Sequence, residues 1–184
     1  MAEEHKNEQT PVGGAADTAP QAGVLAQYIR DLSFENPNAP ASLQAAATTK
    51  PAIDVNVNVG VRQVNEEVFE VDLKITAKAT HKTETGEEHV AFVVELSYGS
   101  MFGMRNIPEE HAKPFLLIQA PTLMFPFARR IIADATRDGG FPPLLLEPIN
   151  FEALYRAQLA QEAQNADAAP AAEGGEEPAP INLN

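Results

Sequence analysis

TLMFPFARRIIADATRDGGFPPLLLEPINF, Thr122 to Phe151, spells a helix, a hard stop, and a proline-bounded apolar segment leading into a second helix. With Thr122 as N-cap the first helix starts at Leu123, and Pro126 falls in its first turn, where a missing N–H removes no bond. Met124, Phe127, Ala128, Ile131 and Ala135 recur at three- and four-residue spacing and predict one apolar face, with Arg130, Asp134 and Arg137 elsewhere. Arg137 suits the carbonyl end of the helix dipole. Gly139-Gly140 then permits positive φ before Pro142 and Pro143 forbid continuation, so the helix ends near Asp138. Leu144, Leu145 and Leu146 form a run too short for a helix, which must be covered or cover something. Asn150 suits an N-cap, Phe151, Leu154, Tyr155 and Leu159 line one helical face, and Glu152 can pair with Arg156 four residues on.

Upstream the period changes to two. Val24, Ala26, Tyr28, Leu32 and Phe34 share one parity, and Gln27, Asp31, Ser33 and Glu35 the other, which predicts a strand over Val24 to Glu35 stopped by the prolines of ENPNAP. A loop is expected through about Lys50. Ile53, Val55, Val57, Val59 and Val61 alternate with polar residues or glycine, and Phe69, Val71, Leu73 and Ile75 continue after an Asn65-Glu66 turn, giving a hairpin. HKTETGEEH, 81–89, reads as a polar turn before a fourth antiparallel strand with Phe92, Val94, Leu96 and Tyr98 on one side and Val93, Glu95 and Ser97 on the other. The pattern changes after Gly99. Pro108-Glu109-Glu110 opens a short helix that Pro121 limits. Strands followed by helices indicate an α+β fold: a four-stranded antiparallel sheet with helices packed on one face.

The 184 residues include no cysteine and no tryptophan, 44% are apolar, and the formal charge is -13. One domain over residues 24–162 is expected. The flanks 1–23 and 163–184 are rich in Ala, Pro, Gly and acids and are read as disordered tails, because such compositions bury too little apolar surface to offset chain entropy. An acidic chain repels phosphate backbones, so no nucleic-acid partner is expected, while a basic protein surface suits it. The acidic opening lacks an apolar export leader and no membrane insertion is expected, which points to the cytoplasm, as does the lack of cysteine.

Catalytic chemistry has no foothold in the pattern. His5, His81, His89 and His111 stand in no motif, and no phosphate loop or nucleophile elbow occurs. Gly139-Gly140 ends a helix and offers carbonyls, not N–H groups. His81, Glu84, Glu87, Glu88 and His89 match no metal-ligand spacing. The expectation is a non-enzyme with no metal and no cofactor.

YIRDLSFENPNAP (Tyr28 to Pro40), FVVEL (Phe92 to Leu96) and FPFARRIIADATRDGGFPPLLLEPINFEALY (Phe125 to Tyr155) together resemble the SecB protein-export chaperone family over residues 24–160. The resemblance implies an ATP-independent cytoplasmic holdase. Such a protein keeps precursor proteins unfolded and passes them to the SecA motor, and it assembles as a homotetramer, a dimer of dimers with helices between two sheets. SecA contact then falls on Asp31, Glu35, Val93 and Glu95, which parity turns away from the apolar side. Phe92, Val94, Leu96 and Tyr98 turn toward the helices and the dimer-dimer contact. An apolar client groove between sheet and C-terminal helix draws on Val55, Val57, Leu144, Leu146, Phe151 and Leu154. The turn 82–88 and both tails look longer than is usual in the family. Two other readings stand beside export: a SecB-like chaperone serving an antitoxin or general proteostasis, and a small-ligand binder using the sheet-helix cleft.

Overall fold

A computed structural model describes residues 18–82, 87–168 and 181–183. Alternating residues build four long strands, β1 (Gln21–Glu35), β2 (Ala52–Asn65), β3 (Val68–Lys82) and β4 (Glu88–Arg105), and a three-residue β5 (Ile181–Leu183) joins them. They form one antiparallel sheet in the order β1-β4-β3-β2-β5. The Asn65 side chain accepts the Glu67 N–H at 3.0 Å and closes the β2–β3 hairpin. The β3–β4 pairing continues to Lys82 opposite Glu88, and residues 83–86 of the expected polar turn lie outside the described residues.

Three sheet details differ from the periodicity. β4 does not stop at Gly99 but runs to Arg105. Gly99 lies under the Tyr28 ring, where a Cβ would come within 2.6 Å of it, so this glycine marks a close approach within a strand, not its end. The Ser100 hydroxyl donates to the Ala26 carbonyl at 3.0 Å and holds the two strands together there. In β1 the register shifts between Val24 and Ala26 and again between Ile29 and Asp31, so strict alternation fails. Tyr28 therefore hydrogen-bonds Glu70 on one face of the sheet while Phe34 stacks on Phe92, at 5.7 Å between centroids, on the other. Finally, the expected loop before Lys50 contains α1 (Ala41–Thr48), in which Ala45, Ala46 and Ala47 outweigh the neighbouring prolines. Buried Ser42 is held by its hydroxyl on Asn36 Oδ1 at 2.6 Å, and Leu43 and Ala46 pack on the core.

The helix layer is also more continuous than the prolines suggest. α2 (Glu109–Pro114), a π-helical turn (Phe115–Gln119) and α3 (Ala120–Asp138) form one rod from Glu109 to Asp138. Thr122 is not a cap: it sits inside the rod, its hydroxyl donating back to the Ile118 carbonyl at 2.6 Å. Pro121 stands two residues past the end of the π turn, the kind of widened turn that absorbs an interrupted bonding ladder. By length and composition the rod could cross a membrane. Ala120, Met124, Ala128, Ile132 and Thr136, four residues apart, are all 0% exposed within the domain, so it is the core helix of this fold.

That buried stripe overlaps the predicted face: Met124 and Ala128 are buried in it, Ile131 and Ala135 pack against the core beside it, and Phe127 alone of the predicted residues turns outward. Phe127 stands 49% exposed and Leu123 51%. The helix has more apolar surface than one sheet can cover, and spacing alone does not say which line faces the sheet. The stop behaves as read. α3 ends at Asp138, Gly140 takes φ +89°, and a Cβ on Gly139 would overlap the Phe34 ring. Buried Thr136 then fixes the return: its hydroxyl accepts the Leu144 N–H at 2.9 Å and its carbonyl the Phe141 N–H at 3.1 Å. Asn150 caps α4 (Phe151–Ala168) by accepting the Ala153 N–H at 2.9 Å, and Glu152 pairs with Arg156 at 2.6 Å. Of the flanks read as tails, residues 1–17, 169–180 and 184 lie outside the described residues; β1 begins at Gln21, α4 runs to Ala168, and Ile181–Leu183 is strand.

Candidate functional site

The face of the sheet turned away from the helices carries three of its four long strands' polar residues in one register. Glu35 is opposite Val93, Ser33 opposite Glu95, and Asp31 opposite Ser97, so Asp31, Glu35, Val93 and Glu95 form one patch across β1 and β4. Asp31, Glu35 and Glu95 are exposed and Val93 is half-buried between them. The patch is not uniformly acidic, because β3 sets Lys78 beside Val93 and Lys74 beside Ser97. It is an acid-rich edge bounded by two lysines.

Next to it lies a charge cluster that the sequence reading missed. Glu70 and Asp72, only 4% and 8% exposed, project from β3 on this polar face. Glu70 accepts hydrogen bonds from Tyr28, Arg30 and Arg62, the last at 3.0 Å through Nε. Asp72 accepts from Arg30 at 3.3 Å and from the Ser97 hydroxyl at 2.6 Å. The Tyr28 hydrogen bond, followed by those of Arg62 and Arg30, outweighs burial and holds the Glu70 carboxyl down at about 2. The same contact with Glu70 raises the Tyr28 hydroxyl. A buried carboxylate with three donors ties β1, β2 and β3 together and anchors the strand that carries Asp31 and Glu35. The signal was legible: Glu70, Asp72 and Lys74 share one parity in a strand whose other parity is apolar from Phe69 to Ala79.

On the opposite face, Phe92, Val94, Leu96 and Tyr98 do turn toward the helices, at 3%, 0%, 2% and 7% exposure. They are core of the single chain, filled against its own helix layer. The six groove residues divide. Val57, Leu146 and Phe151 are buried, whereas Val55, Leu144 and Leu154 are half-buried and pack against the core from its margin. Leu144 also lines a cleft of about 640 Å³ between α1 and the segment after α3, walled by Ala46, Ile53, Phe92, Phe141 and Pro143. A second cleft of about 610 Å³ lies near the other end of the rod, among Val61, Phe69, Met104, Ile107 and Leu116. The first depends on α1, which proline-based reading had dissolved into a loop.

Among the described residues no group of three or more His, Asp or Glu is arranged to hold a metal ion. His81 is buried with neither ring nitrogen hydrogen-bonded. The cleft beside α1 is lined mainly by apolar side chains, whereas the second combines an apolar wall with charged residues such as Glu66, Glu67, Arg105 and Lys113; both offer apolar surface to a chain segment.

The family described as preprotein translocase subunit SecB matches residues 15–162. Proteins carrying the name protein-export protein SecB are similar over most of their length. That of Novosphingobium aromaticivorans is 49% identical across 90% of this chain and 92% of its own, and that of Maricaulis maris 51% across 94% and 96%. That of Rhizorhabdus wittichii is 53% identical across 87% and 96%. Among solved structures, the Mycobacterium tuberculosis SecB-like chaperone in complex with a peptide from the HigA1 antitoxin superposes with a TM-score of 0.56. It shares 14% identity and covers 70% of this chain and 90% of that one, a likeness of fold alone. With its sheet, continuous helix rod and apolar clefts, and with close relatives matching nearly end to end, the chain belongs to the SecB family of protein-export chaperones.

Proposed function

We propose that this protein is a cytoplasmic, ATP-independent holdase that keeps precursor proteins unfolded and delivers them to SecA. The observation that carries the proposal is the separation of the two faces: apolar clefts on the helix side and an acid-rich patch on the other. Client segments would enter the cleft at Leu144, with the half-buried Val55 and Leu154 offered at the margin of a core in which Val57, Leu146 and Phe151 are buried. A few Leu- or Phe-sized anchors at about 1.5–3 kcal/mol each, less ordering costs, give roughly micromolar affinity per site, weak enough for release. Several such sites on one assembly would hold a long chain through effective concentration.

SecA would dock on Asp31, Glu35 and Glu95 with Val93 between them, an acidic surface steering a basic one. The assembly is a homotetramer, a dimer of dimers. Leu123 and Phe127 leave an uncovered apolar line on α3, and edge strand β1 leaves Val24, Leu25, Ile29 and Leu32 at 42–60% exposure. These are the surfaces a second copy would cover, with Phe92, Val94, Leu96 and Tyr98 as the platform beneath α3. An antitoxin role has support only from a fold-level likeness, whereas the export relatives match at about half of all positions.

The test is a pair of measurements on the purified full chain: capture of SecA, and suppression of aggregation of an unfolded substrate without nucleotide. Both activities are expected. Suppression without SecA capture would favour a chaperone outside export, and saturable stabilisation by one small metabolite with no suppression would favour a ligand binder.

A further inference from the structure

β5 falls in a flank whose composition reads as a tail, and it lies on the open edge of the sheet. β2 is the last of the four long strands, and among the described residues its outer flank is paired only at Val55–Val57. There Leu183 stands opposite Val55, Asn182 opposite Asn56 and Ile181 opposite Val57, antiparallel. The two segments repeat one pattern: Val55-Asn56-Val57-Asn58 alternates an apolar residue with asparagine, and so does Ile181-Asn182-Leu183-Asn184. Edges that must not recruit other chains are usually short or carry lysine or proline. β2 has 14 residues, neither lysine nor proline, and Ile53, Val61 and Val64 40–45% exposed. Left open, such an edge accepts any extended chain.

We propose that β5 is an intramolecular occupant of the β2 edge, displaced when an extended client segment adds to the same edge as a further strand. The inference rests on the holdase reading and sharpens it. The ligand is a stretch of extended polypeptide whose backbone N–H and C=O groups continue the ladder and whose alternate residues are apolar, to match Val55, Val57 and Val59. Three paired residues make a short ladder, and the tether raises its local concentration to about the millimolar range. A long unfolded chain can pair with far more of β2 than β5 does and so displaces it. A short or folded segment cannot. In the absence of client the edge stays covered, which deters sheet-to-sheet association.

Three proteins test this: the full chain, a chain ending at Pro180, and full-length Asn182→Pro, which removes an N–H without shortening the tail. Hydrogen exchange reads the amides of Val55–Val57, and binding is measured to reduced, alkylated α-lactalbumin as a permanently unfolded probe. Both variants should lose protection at Val55–Val57. If the edge is free only about 10–30% of the time in the full chain, both should also bind the probe about three- to tenfold more tightly. Equal exchange in all three proteins would overturn the pairing. Lost protection with unchanged affinity would overturn the competition. Absence of probe binding by all three would overturn the holdase reading and the competition with it, whatever the exchange arm reports about the pairing.

Discussion

Along β4, Phe92, Val94, Leu96 and Tyr98 enter the helix layer at 0–7% exposure, while Val93, Glu95 and Ser97, one residue out of step, face outward. The same strand thus meets two different requirements. The inner face is filled by side chains of the protomer itself, and any polar or charged intruder there would lose its hydration without compensation. The outer face keeps charges because they are either exposed, as Asp31, Glu35 and Glu95 are, or supplied with donors, as Glu70 is. Stability is concentrated on one side and freedom to carry a docking surface on the other.

The largest effect should come from violating the inner face. Leu96→Asp places an unpaired carboxylate at a site 2% exposed and should cost upward of about 4 kcal/mol, unfolding the protomer instead of separating folded ones. Circular dichroism and denaturant titration decide this. A folded, native-like variant would show that the face has room that its burial denies.

A middle-sized effect belongs to the buried charge cluster, the one place where the outer face behaves like core. Glu70 sits at about 2 in the fold against an ordinary value of 4.5, so its contribution is complete above about 4.5 and drains away as pH falls toward about 2. At neutral pH that contribution is on the order of 3 kcal/mol. Glu70→Gln should lower the melting temperature at pH 7, and the gap to the unaltered protein should close between pH 4.5 and 2. A gap that stays constant across that range would mean the carboxylate's charge is not what the donors stabilise.

Smaller still for the protomer is Phe127→Asp, on the exposed line of α3. Surface substitutions of this kind stay within about 0.5 kcal/mol for a single folded chain, yet a charge there should disrupt an assembly that buries the line. Light scattering should report a lower mass than for the unaltered protein. An unchanged mass would place the proposed helix-side contact elsewhere.

The smallest stability effect is expected for Asp31→Lys combined with Glu95→Lys, both exposed. Binding to SecA should nonetheless fall by tenfold or more, as attraction becomes repulsion, with a salt dependence expected of charges screened over about 8 Å. Client binding should persist. Equal loss of both activities would assign these residues to the fold and not to docking.

Much of this architecture was legible in the sequence because it depends on short-range repetition. The alternation from Ile53 to Val61 and from Phe69 to Ile75 produced the hairpin, and Gly139-Gly140 followed by two prolines produced the stop after Asp138. Asn150 and the Glu152–Arg156 pair did what their spacing asked. Prolines misled where tertiary packing could overrule them: Pro121 lies within the rod it was expected to divide, and α1 forms directly after Pro40. Gly99 misled in the same way, because its role is to admit the Tyr28 ring, a neighbour 71 positions away in the chain that no window around residue 99 contains.

The sequence by itself determined the element types, their approximate ends and, through motifs spread over most of the chain, the family. Local dihedral preferences and hydrophobic period act within a few residues, so a single chain segment expresses them. Tertiary structure decided which of two apolar lines on α3 meets the sheet, how the shifts in β1 separate Tyr28 from Phe34, and that Glu70 gathers Tyr28, Arg30 and Arg62. It also decided that Ile181–Leu183 finds the β2 edge. Each of these is a choice of partner between distant segments, and it is settled by which buried surfaces and backbone edges remain to be matched once the elements have formed.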